Sequence, residues 1–243
     1  MRILLSGSSG VIGRHLVDLI EADPALSLSG EAERDQFFDE SVSGDVLIDF
    51  SHPELTRRSV EFAVQRQIPA VIGTTGLDET CLHAIEQAAT SIPVCVAANF
   101  SLGVNLLLAL AARAAASLGP EYDIEISEIH HRRKLDAPSG TALALGQAVA
   151  QARGLDLDGV RVDDRSRRRV PRQSDEIGFQ AIRGGDVAGE HTVYFLSDGE
   201  RLELTHRATD RRIFARGALL AAKKLLGRSP GRVDFAALVL DRF

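Results

Sequence analysis

The chain has 243 residues, of which 44% are hydrophobic and 26% charged, and its formal net charge is −6 at pH 7. This length is enough for a full hydrophobic core in one large or two modest domains, and the negative charge argues against a general nucleic-acid binder. Two cysteines are too few for a disulfide framework, and the sequence shows neither a secretory signal nor an apolar stretch long enough to span a bilayer, so we expect a soluble cytoplasmic protein.

The chain opens with a strand, a glycine loop and a helix. An apolar run at residues 2–5 leads through Gly7–Gly13 into helical spacing over residues 14–22. This order is typical of dinucleotide-binding folds, in which the helix N-terminus stabilises a pyrophosphate. The G-x-x-G-x-x-G spacing alone would also fit a tight strand-to-helix turn with no ligand.

An acidic and a basic residue follow the second predicted strand, residues 26–29. Glu33 lies about where dinucleotide-binding folds place an acid that binds ribose hydroxyls. Arg34 could accept a 2′-phosphate, so the pair does not choose between NADH and NADPH. Either residue could also belong to a solvated charge cluster.

Further strand and helix signals continue the alternation. Strands are predicted at 45–50, 68–72 and 93–98, with helices after the first two. In doubly wound parallel sheets, ligands bind at the carboxyl ends of the strands, so the loops that follow the strands should meet at one edge. These loops lie at Gly7, Ser51, Gly73 and Asn99.

Beyond residue 101 the pattern changes to a long apolar helix, 102–118, and a strand, 122–129. Further strands are predicted at 177–182, 192–196 and 201–205, the last two joined by an Asp-Gly hairpin. The sequence therefore predicts an α/β protein, with a Rossmann-like doubly wound parallel sheet and a second α+β domain on an open mixed or antiparallel sheet. The predicted dinucleotide-binding domain comprises residues 1–101 and 212–243, and the predicted substrate-binding and oligomerisation domain comprises residues 102–211.

The second sheet has apolar side chains on both faces. Val193 and Phe195 alternate with Tyr194 and Leu196, so both faces need cover. We therefore expect a homo-oligomer.

Two later segments are assigned no chemistry. The arginine-rich stretch 165–172 is expected to be a solvated or mobile loop. A final helix over 214–226 and the tail from Val233 are expected to rejoin the first domain.

The segment 127–141 concentrates groups suited to proton transfer and anion binding. His130 and His131 are followed by Lys134, which adds a positive charge. Ser139–Thr141 is typical of a loop entering a helix N-terminus, where backbone N–H groups attract anions. The pattern predicts a carboxylate or phosphate pocket beside a proton donor.

The chain resembles the dihydrodipicolinate reductase family over nearly its whole length. The shared motifs are Gly7–Gly13, Gly73–Gly76, Ala97–Phe100 with Gly103 and Asn105, Glu128–Thr141, and Gly189–Thr192. The most specific of them is the His-His-x-x-Lys-x-Asp-Ala-Pro-Ser-Gly-Thr block that begins at His130.

The resemblance implies a homotetrameric reductase of diaminopimelate and lysine biosynthesis that uses NADH or NADPH. Its substrate would be a heterocyclic dicarboxylate, 4-hydroxy-tetrahydrodipicolinate, which it would reduce to tetrahydrodipicolinate. By the same resemblance His130 and Lys134 would deliver the proton. The substrate would be bound by His131, Ser139, Gly140 and Thr141. The cofactor would be lined by Gly7, Ser8, Ser9, Gly10, Val11, Ile12, Glu33, Arg34, Gly73, Thr74, Thr75, Ala97, Ala98, Asn99 and Phe100.

Three other readings fit the sequence less well. A metal site is not expected, because adjacent histidines do not share a helix face and no H-E-x-x-H pattern exists. A short-chain or semialdehyde dehydrogenase is disfavoured, because neither Tyr122 nor Tyr194 has a lysine four residues on and neither cysteine lies in an obvious nucleophile loop. A cofactor-binding sensor would not need both His130 and Lys134. His191 and His206 are interpreted as core residues.

Overall fold

The computed structural model describes residues 1–166 and 168–240. It forms two compact units, one comprising Met1–Leu102 with the segment that begins at Arg211, and the other comprising Gly103–Asp210. Arg167, in the predicted arginine-rich loop, and residues 241–243, at the end of the predicted first domain, lie outside the described residues. The roles assigned to the two domains stay predictions.

Strands and helices alternate through the first half of the chain. In chain order the elements are β1 (Arg2–Ser6), α1 (Val11–Glu21), β2 (Ser27–Ala32), β3 (Val46–Asp49), α2 (Pro53–Arg66), β4 (Ala70–Ile72), α3 (Glu79–Ala89), β5 (Pro93–Val96), α4 (Leu102–Ser117), β6 (Asp123–His130), α5 (Gly140–Ala152), α6 (Leu157–Val160), β7 (Arg161–Val162), β8 (Ile177–Arg183), β9 (Gly189–Ser197), β10 (Glu200–Ala208), α7 (Arg212–Leu225), β11 (Gly231–Asp234) and α8 (Phe235–Val239). The short elements α6, β7 and α8 were not predicted.

The first unit contains a six-stranded parallel sheet in the order β11-β5-β4-β3-β1-β2. This confirms the predicted Rossmann-like doubly wound sheet. The chain changes direction across the sheet beside β1, which creates a topological switch point between β1 and β3. The loops after β1, β3, β4 and β5 therefore lie at the same edge of the sheet.

Side chains of β1 alternate between two cores. Ile3 and Leu5 belong to a core shared with α1, α7 and α8, whereas Leu4 belongs to a core shared with α2 and α3. Burial of both faces explains why these strands are continuously apolar. The helix α1 begins at Val11, before the predicted 14–22 range, because Val11 is exposed and the buried Gly13 has no side chain to add to the apolar periodicity.

The second unit contains a five-stranded mixed sheet in the order β10-β9-β6-β8-β7. The strands β10, β9 and β6 pair antiparallel, while β6, β8 and β7 pair parallel. One face packs against α4 and α5 through Ile124, Ile126, Val193 and Phe195. The predicted mixed sheet and its hairpin are confirmed.

Two arginines of the arginine-rich segment, Arg165 and Arg172, are paired with acidic side chains. Arg172 donates hydrogen bonds to Asp123 at 2.7 Å and to Glu125 at 3.2 Å, both on β6. Arg165 donates to Glu176 at 2.7 Å and to Glu125 at 3.1 Å. The expectation of a solvated or mobile loop is therefore wrong for these two arginines, because acids distant in sequence hold them.

Candidate active site

The glycine loop after β1 is shaped by close backbone packing. Gly7 has φ of +83°, and a Cβ there would overlap the carbonyl group of Phe50. A Cβ at Gly13 would overlap the carbonyl oxygen of Gly7. Both glycines are therefore needed for the turn itself, whether or not a ligand approaches it.

The helix that follows this loop has no side-chain cap. Gly10 is its N-cap residue, and Val11 and Ile12 form the start of its first turn. Amide groups at such a helix end carry partial positive charge and suit an anion. Ser8 is buried and Ser9 exposed on the same loop.

Glu33 is directed at the glycine loop. One of its carboxylate oxygens accepts hydrogen bonds from the Ser8 hydroxyl at 2.9 Å and from the Ser9 amide at 2.7 Å. Burial opposes ionisation here, but these hydrogen bonds outweigh it and lower the pKa of Glu33. Arg34 is exposed to solvent.

The loops after β4 and β5 contain the other predicted cofactor residues. Gly73 is half-buried, and a Cβ there would overlap the Phe50 ring. Thr74 is buried and Thr75 exposed. After β5, Ala97 and Asn99 are half-buried, Ala98 is exposed and Phe100 is buried. The structure thus places residues of four loops at one edge of the parallel sheet.

In the second unit, His130 is the last residue of β6 and is 8% exposed. Its Nδ1 lies 2.6 Å from Oε2 of Glu128, which is 1% exposed. Both side chains project from the same face of the strand because they are two residues apart. The contact fixes the orientation of the ring and turns Nε2 away from Glu128. A Cβ at Gly189 would lie 3.0 Å from that Nε2.

Glu128 is held by a second cation and by the loop before α5. Arg183 donates to both carboxylate oxygens, at 2.6 and 2.7 Å, and the Ser139 amide donates at 3.1 Å. Burial would raise the pKa of Glu128, but the hydrogen bonds from Arg183 and His130 outweigh burial and lower it. Glu128 is therefore an ionised acceptor for His130.

Burial is the main cause that lowers the pKa of His130, and the hydrogen bond and charge of Glu128 oppose this shift. The positive charges of Lys134 and Arg183 lower the pKa further. The ring is therefore poised to give up a proton, while Glu128 keeps its protonated form accessible.

His191 adjoins His130, although the sequence pattern assigned it only to the core. The two rings are 5.1 Å apart in an edge-on arrangement, and Nε2 of His191 lies 3.0 Å from the Ser139 hydroxyl. Burial, with a smaller contribution from His130, lowers the pKa of His191 to about 4. His191 is therefore neutral at physiological pH.

The remaining predicted residues lie on the loop after β6 and on α5. Lys134 pairs with Asp136 at 2.9 Å, and the His131 amide donates to the Val187 carbonyl at 2.9 Å. Ser139 caps α5 by accepting from the Ala142 amide at 3.2 Å. Gly140 is exposed and Thr141 is half-buried at the start of this helix.

Sequence reasoning missed Glu128 and Arg183 as members of this site. Glu128 had a local signal, because it lies two residues before His130 on a predicted strand. Arg183 had none, since it is 55 residues away and meets Glu128 through the parallel pairing of β6 and β8.

Two features are absent from residues 1–166 and 168–240. No helix in this part of the chain is both long and apolar enough to cross a membrane. The same residues contain no group of three or more His, Cys, Asp or Glu side chains arranged to hold a metal ion.

Known proteins resemble this chain over both of its units. The protein-family model "Dihydrodipicolinate reductase, N-terminus" matches residues 1–100, and the family model "Dihydrodipicolinate reductase, C-terminus" matches residues 103–239. A 4-hydroxy-tetrahydrodipicolinate reductase of Pseudoalteromonas translucida (strain TAC 125) is 50% identical over 93% of this chain and 83% of its own length. One from Zymomonas mobilis subsp. mobilis is 48% identical over 95% of this chain and 94% of its own length.

A solved structure also has this fold. The dipicolinate-bound dihydrodipicolinate reductase from Paenisporosarcina sp. TG-14 is 22% identical, with a TM-score of 0.76, and the match covers 96% of this chain and 97% of that one. Together with the two family models, which span almost the whole sequence, these likenesses show that the chain belongs to the dihydrodipicolinate reductase family.

Proposed function

We propose that this protein reduces 4-hydroxy-tetrahydrodipicolinate to tetrahydrodipicolinate, a step of diaminopimelate and lysine biosynthesis. The observation that supports this most directly is the buried His130, which an ionised Glu128 orients beside the N-terminus of α5. A proton donor and an anion-binding helix end are the two features that a heterocyclic dicarboxylate needs in a reductase.

The first unit fits a nicotinamide dinucleotide. The uncapped N-terminus of α1 can bind the pyrophosphate, and Glu33, which lies against the same loop, would bind ribose hydroxyls. The loops that begin at Gly73 and Ala97 complete this edge of the sheet. When bound, NADH or NADPH supplies the hydride.

Cofactor choice depends on two neighbouring side chains. The Glu33 carboxylate favours ribose hydroxyls over a 2′-phosphate, whereas the exposed Arg34 can pair with that phosphate. We therefore propose NADH or NADPH as the cofactor, and the two side chains do not choose between them.

His130 supplies the proton in the proposed reaction. Loss of the substrate hydroxyl together with a hydrogen of the neighbouring ring carbon, as water, creates the conjugated C=C–C=N system. Hydride addition to this system then leaves an electron pair that takes up one proton. Glu128 stabilises the imidazolium before the transfer and holds Nδ1, so Nε2 is the nitrogen that faces the acceptor. Lys134 increases the tendency of His130 to release its proton through its positive charge.

The loop before α5 would hold the substrate carboxylates. The amides of Gly140 and Thr141 lie at the positive end of the helix dipole, and Ser139 fixes that end as its cap. His131 completes the set that we assign to substrate binding.

We also propose that the protein is a homo-oligomer, a tetramer by its family. On the sheet face opposite α4 and α5, Tyr194 and Leu196 stay partly exposed, and Ile182 is 51% exposed. Apolar side chains exposed in this way on a sheet face suit contact with a second copy of the chain. Light scattering at micromolar concentration should give a multiple of 26.2 kDa, and a monomer would contradict the proposal.

Oxidation of the cofactor tests the proposed activity. The purified protein is mixed with NADH or NADPH, and the unstable substrate is generated in the cuvette by the preceding synthase reaction. Absorbance should fall only when synthase, its substrates and this protein are all present. An unchanged absorbance with both cofactors would refute the proposed function.

A further inference from the structure

A carboxylate that no proposed step uses is buried at the end of β3. Asp49 is 0% exposed. It accepts hydrogen bonds from the hydroxyls of Ser51 at 2.5 Å, Thr56 at 2.5 Å and Thr74 at 2.7 Å. Both carboxylate oxygens are engaged, although every described partner is a neutral hydroxyl.

Two of these hydroxyls belong to different loops at the edge of the sheet. Ser51 follows β3 and Thr74 follows β4, and the Ser51 amide donates to the Thr74 hydroxyl at 2.9 Å. The Gly73 amide donates to the backbone carbonyl of Asp49 at 2.8 Å. Asp49 is therefore the common acceptor that ties the two loops together.

The third hydroxyl anchors the network to the scaffold. Thr56 lies on α2 and is itself fully buried. Its hydroxyl donates to Asp49 and lies 3.1 Å from the His52 carbonyl. The loop positions are thus set relative to a rigid helix rather than only to each other.

The arrangement has an energetic cost that packing alone does not explain. Burial raises the pKa of Asp49, because three neutral hydroxyls do not replace the water that the carboxylate loses. An apolar residue would fill the same space without that cost. What it could not do is accept three hydrogen bonds from two loops and a helix.

We propose that Asp49 is a positioning residue for the cofactor, which fixes the loops at Ser51 and Thr74 beside the switch point between β1 and β3. The proposal rests on the proposed function, because it assumes that this edge of the sheet binds a nicotinamide dinucleotide. Asp49 itself would not touch the cofactor.

The test measures cofactor affinity rather than turnover. Dissociation constants for NADH and NADPH are determined by fluorescence titration for the wild type, Asp49→Ala and Asp49→Asn. Asp49→Ala should weaken binding about tenfold or more, because charge-assisted hydrogen bonds to both loops are lost. The dissociation constants of Asp49→Asn should lie between those of the wild type and of Asp49→Ala, since the amide oxygen of asparagine keeps part of the hydrogen-bond network.

Ser59→Ala is the matched control. Ser59 is also a buried hydroxyl on α2, but it bonds to Ser6 at 2.7 Å and not to Asp49. Its cofactor affinity should equal that of the wild type. Equal weakening by Ser59→Ala and Asp49→Ala would overturn the proposal, because any buried polar loss would then have the same effect.

Other outcomes are equally decisive. A folded Asp49→Ala protein with wild-type affinity, or tighter binding by Asp49→Asn, would overturn the positioning role. If Asp49→Ala does not fold, Thr56→Val replaces it, because it removes one of the hydroxyls that bond to Asp49, and Thr56→Ser should restore affinity. Wild-type protein that binds neither cofactor would overturn the proposed function as well, which distinguishes the two failures.

Discussion

Two buried carboxylates, one in each unit, are satisfied in different ways. Glu128 in the second unit is 1% exposed and meets a guanidinium and an imidazole. Asp49 in the first unit is 0% exposed and meets three hydroxyls. Burial acts to raise the pKa of both acids, but it is outweighed at Glu128 and prevails at Asp49.

The difference suits the two tasks proposed for them. A histidine that gains and loses a proton needs a partner whose charge stays fixed, and Arg183 keeps Glu128 ionised. Loops that hold a cofactor need a shared hydrogen-bond acceptor, and Asp49 accepts from Ser51 and Thr74. The comparison therefore predicts that substitutions at His130 and Glu128 will lower turnover, whereas substitutions at Asp49 will weaken cofactor binding.

The largest effect is expected at the proton donor. His130→Gln should lower turnover roughly 100- to 10,000-fold, because general acid catalysis is lost. Affinity for NADH and NADPH should be unchanged, since the residues proposed to bind the cofactor belong to the first unit and His130 belongs to the second. Stopped-flow turnover and cofactor titration measure the two quantities.

His83→Gln serves as the control for that variant, because this histidine is exposed on α3. It should retain full turnover. Undiminished turnover in His130→Gln would contradict the assignment of the proton donor.

Glu128→Gln should show how strongly stability depends on the charge of Glu128. The free energy of unfolding should fall by roughly 3 kcal/mol, because Arg183 is left with an unpaired charge. Asp49→Asn should destabilise much less, since the described hydrogen-bond partners of Asp49 are neutral hydroxyls. Urea denaturation of both variants tests the contrast, and equal losses would contradict it.

The Glu128→Gln and Arg183→Met double variant sharpens this result. Removing both charges should recover part of the lost stability, because the penalty comes from the orphaned cation. Turnover should stay low, since His130 has still lost its anionic partner.

Stability should also depend on pH through His191. Its folded pKa of about 4 lies below the ordinary value of 6.5. Its contribution to stability is therefore fully present above pH 6.5 and is lost as pH falls through about 4, a change of about 3 kcal/mol. Urea denaturation across this range measures it, and His191→Gln should flatten the curve. An equally steep curve in that variant would count against His191.

The smallest effect is expected at the N-terminus of α5, which we propose binds the substrate. Thr141→Val should raise the KM for substrate about fivefold, as expected for one lost hydrogen bond. Thr141→Ser should restore it, because the hydroxyl returns. A change confined to NADPH affinity would mean that this loop contacts the cofactor and not the substrate.

The sequence predicted the strands and helices better than the contacts between side chains. Apolar runs such as residues 45–50 and the Asp-Gly turn of the β9–β10 hairpin are local signals, so the parallel sheet and hairpin could be recognised. The resemblance to a family pointed to His130 and Lys134. Their assigned roles stay predictions.

Non-local partnerships escaped the sequence reasoning. Arg183 reaches Glu128 across paired strands, and Thr74 reaches Asp49 across 25 residues. The arginines of the 165–172 segment were interpreted as solvated because Asp123, Glu125 and Glu176 were not known to face them. Pairing of this kind depends on strand register, which composition does not encode.

Isotope transfer tests the central claim most directly. The wild-type protein is supplied with substrate made in situ and with NADPH carrying deuterium on both positions of nicotinamide C4, in ordinary water. Mass spectrometry of the product should show one deuterium, because the hydride comes from the nicotinamide and the proton from solvent through His130. A product without deuterium, formed while the labelled cofactor is oxidised, would contradict the account.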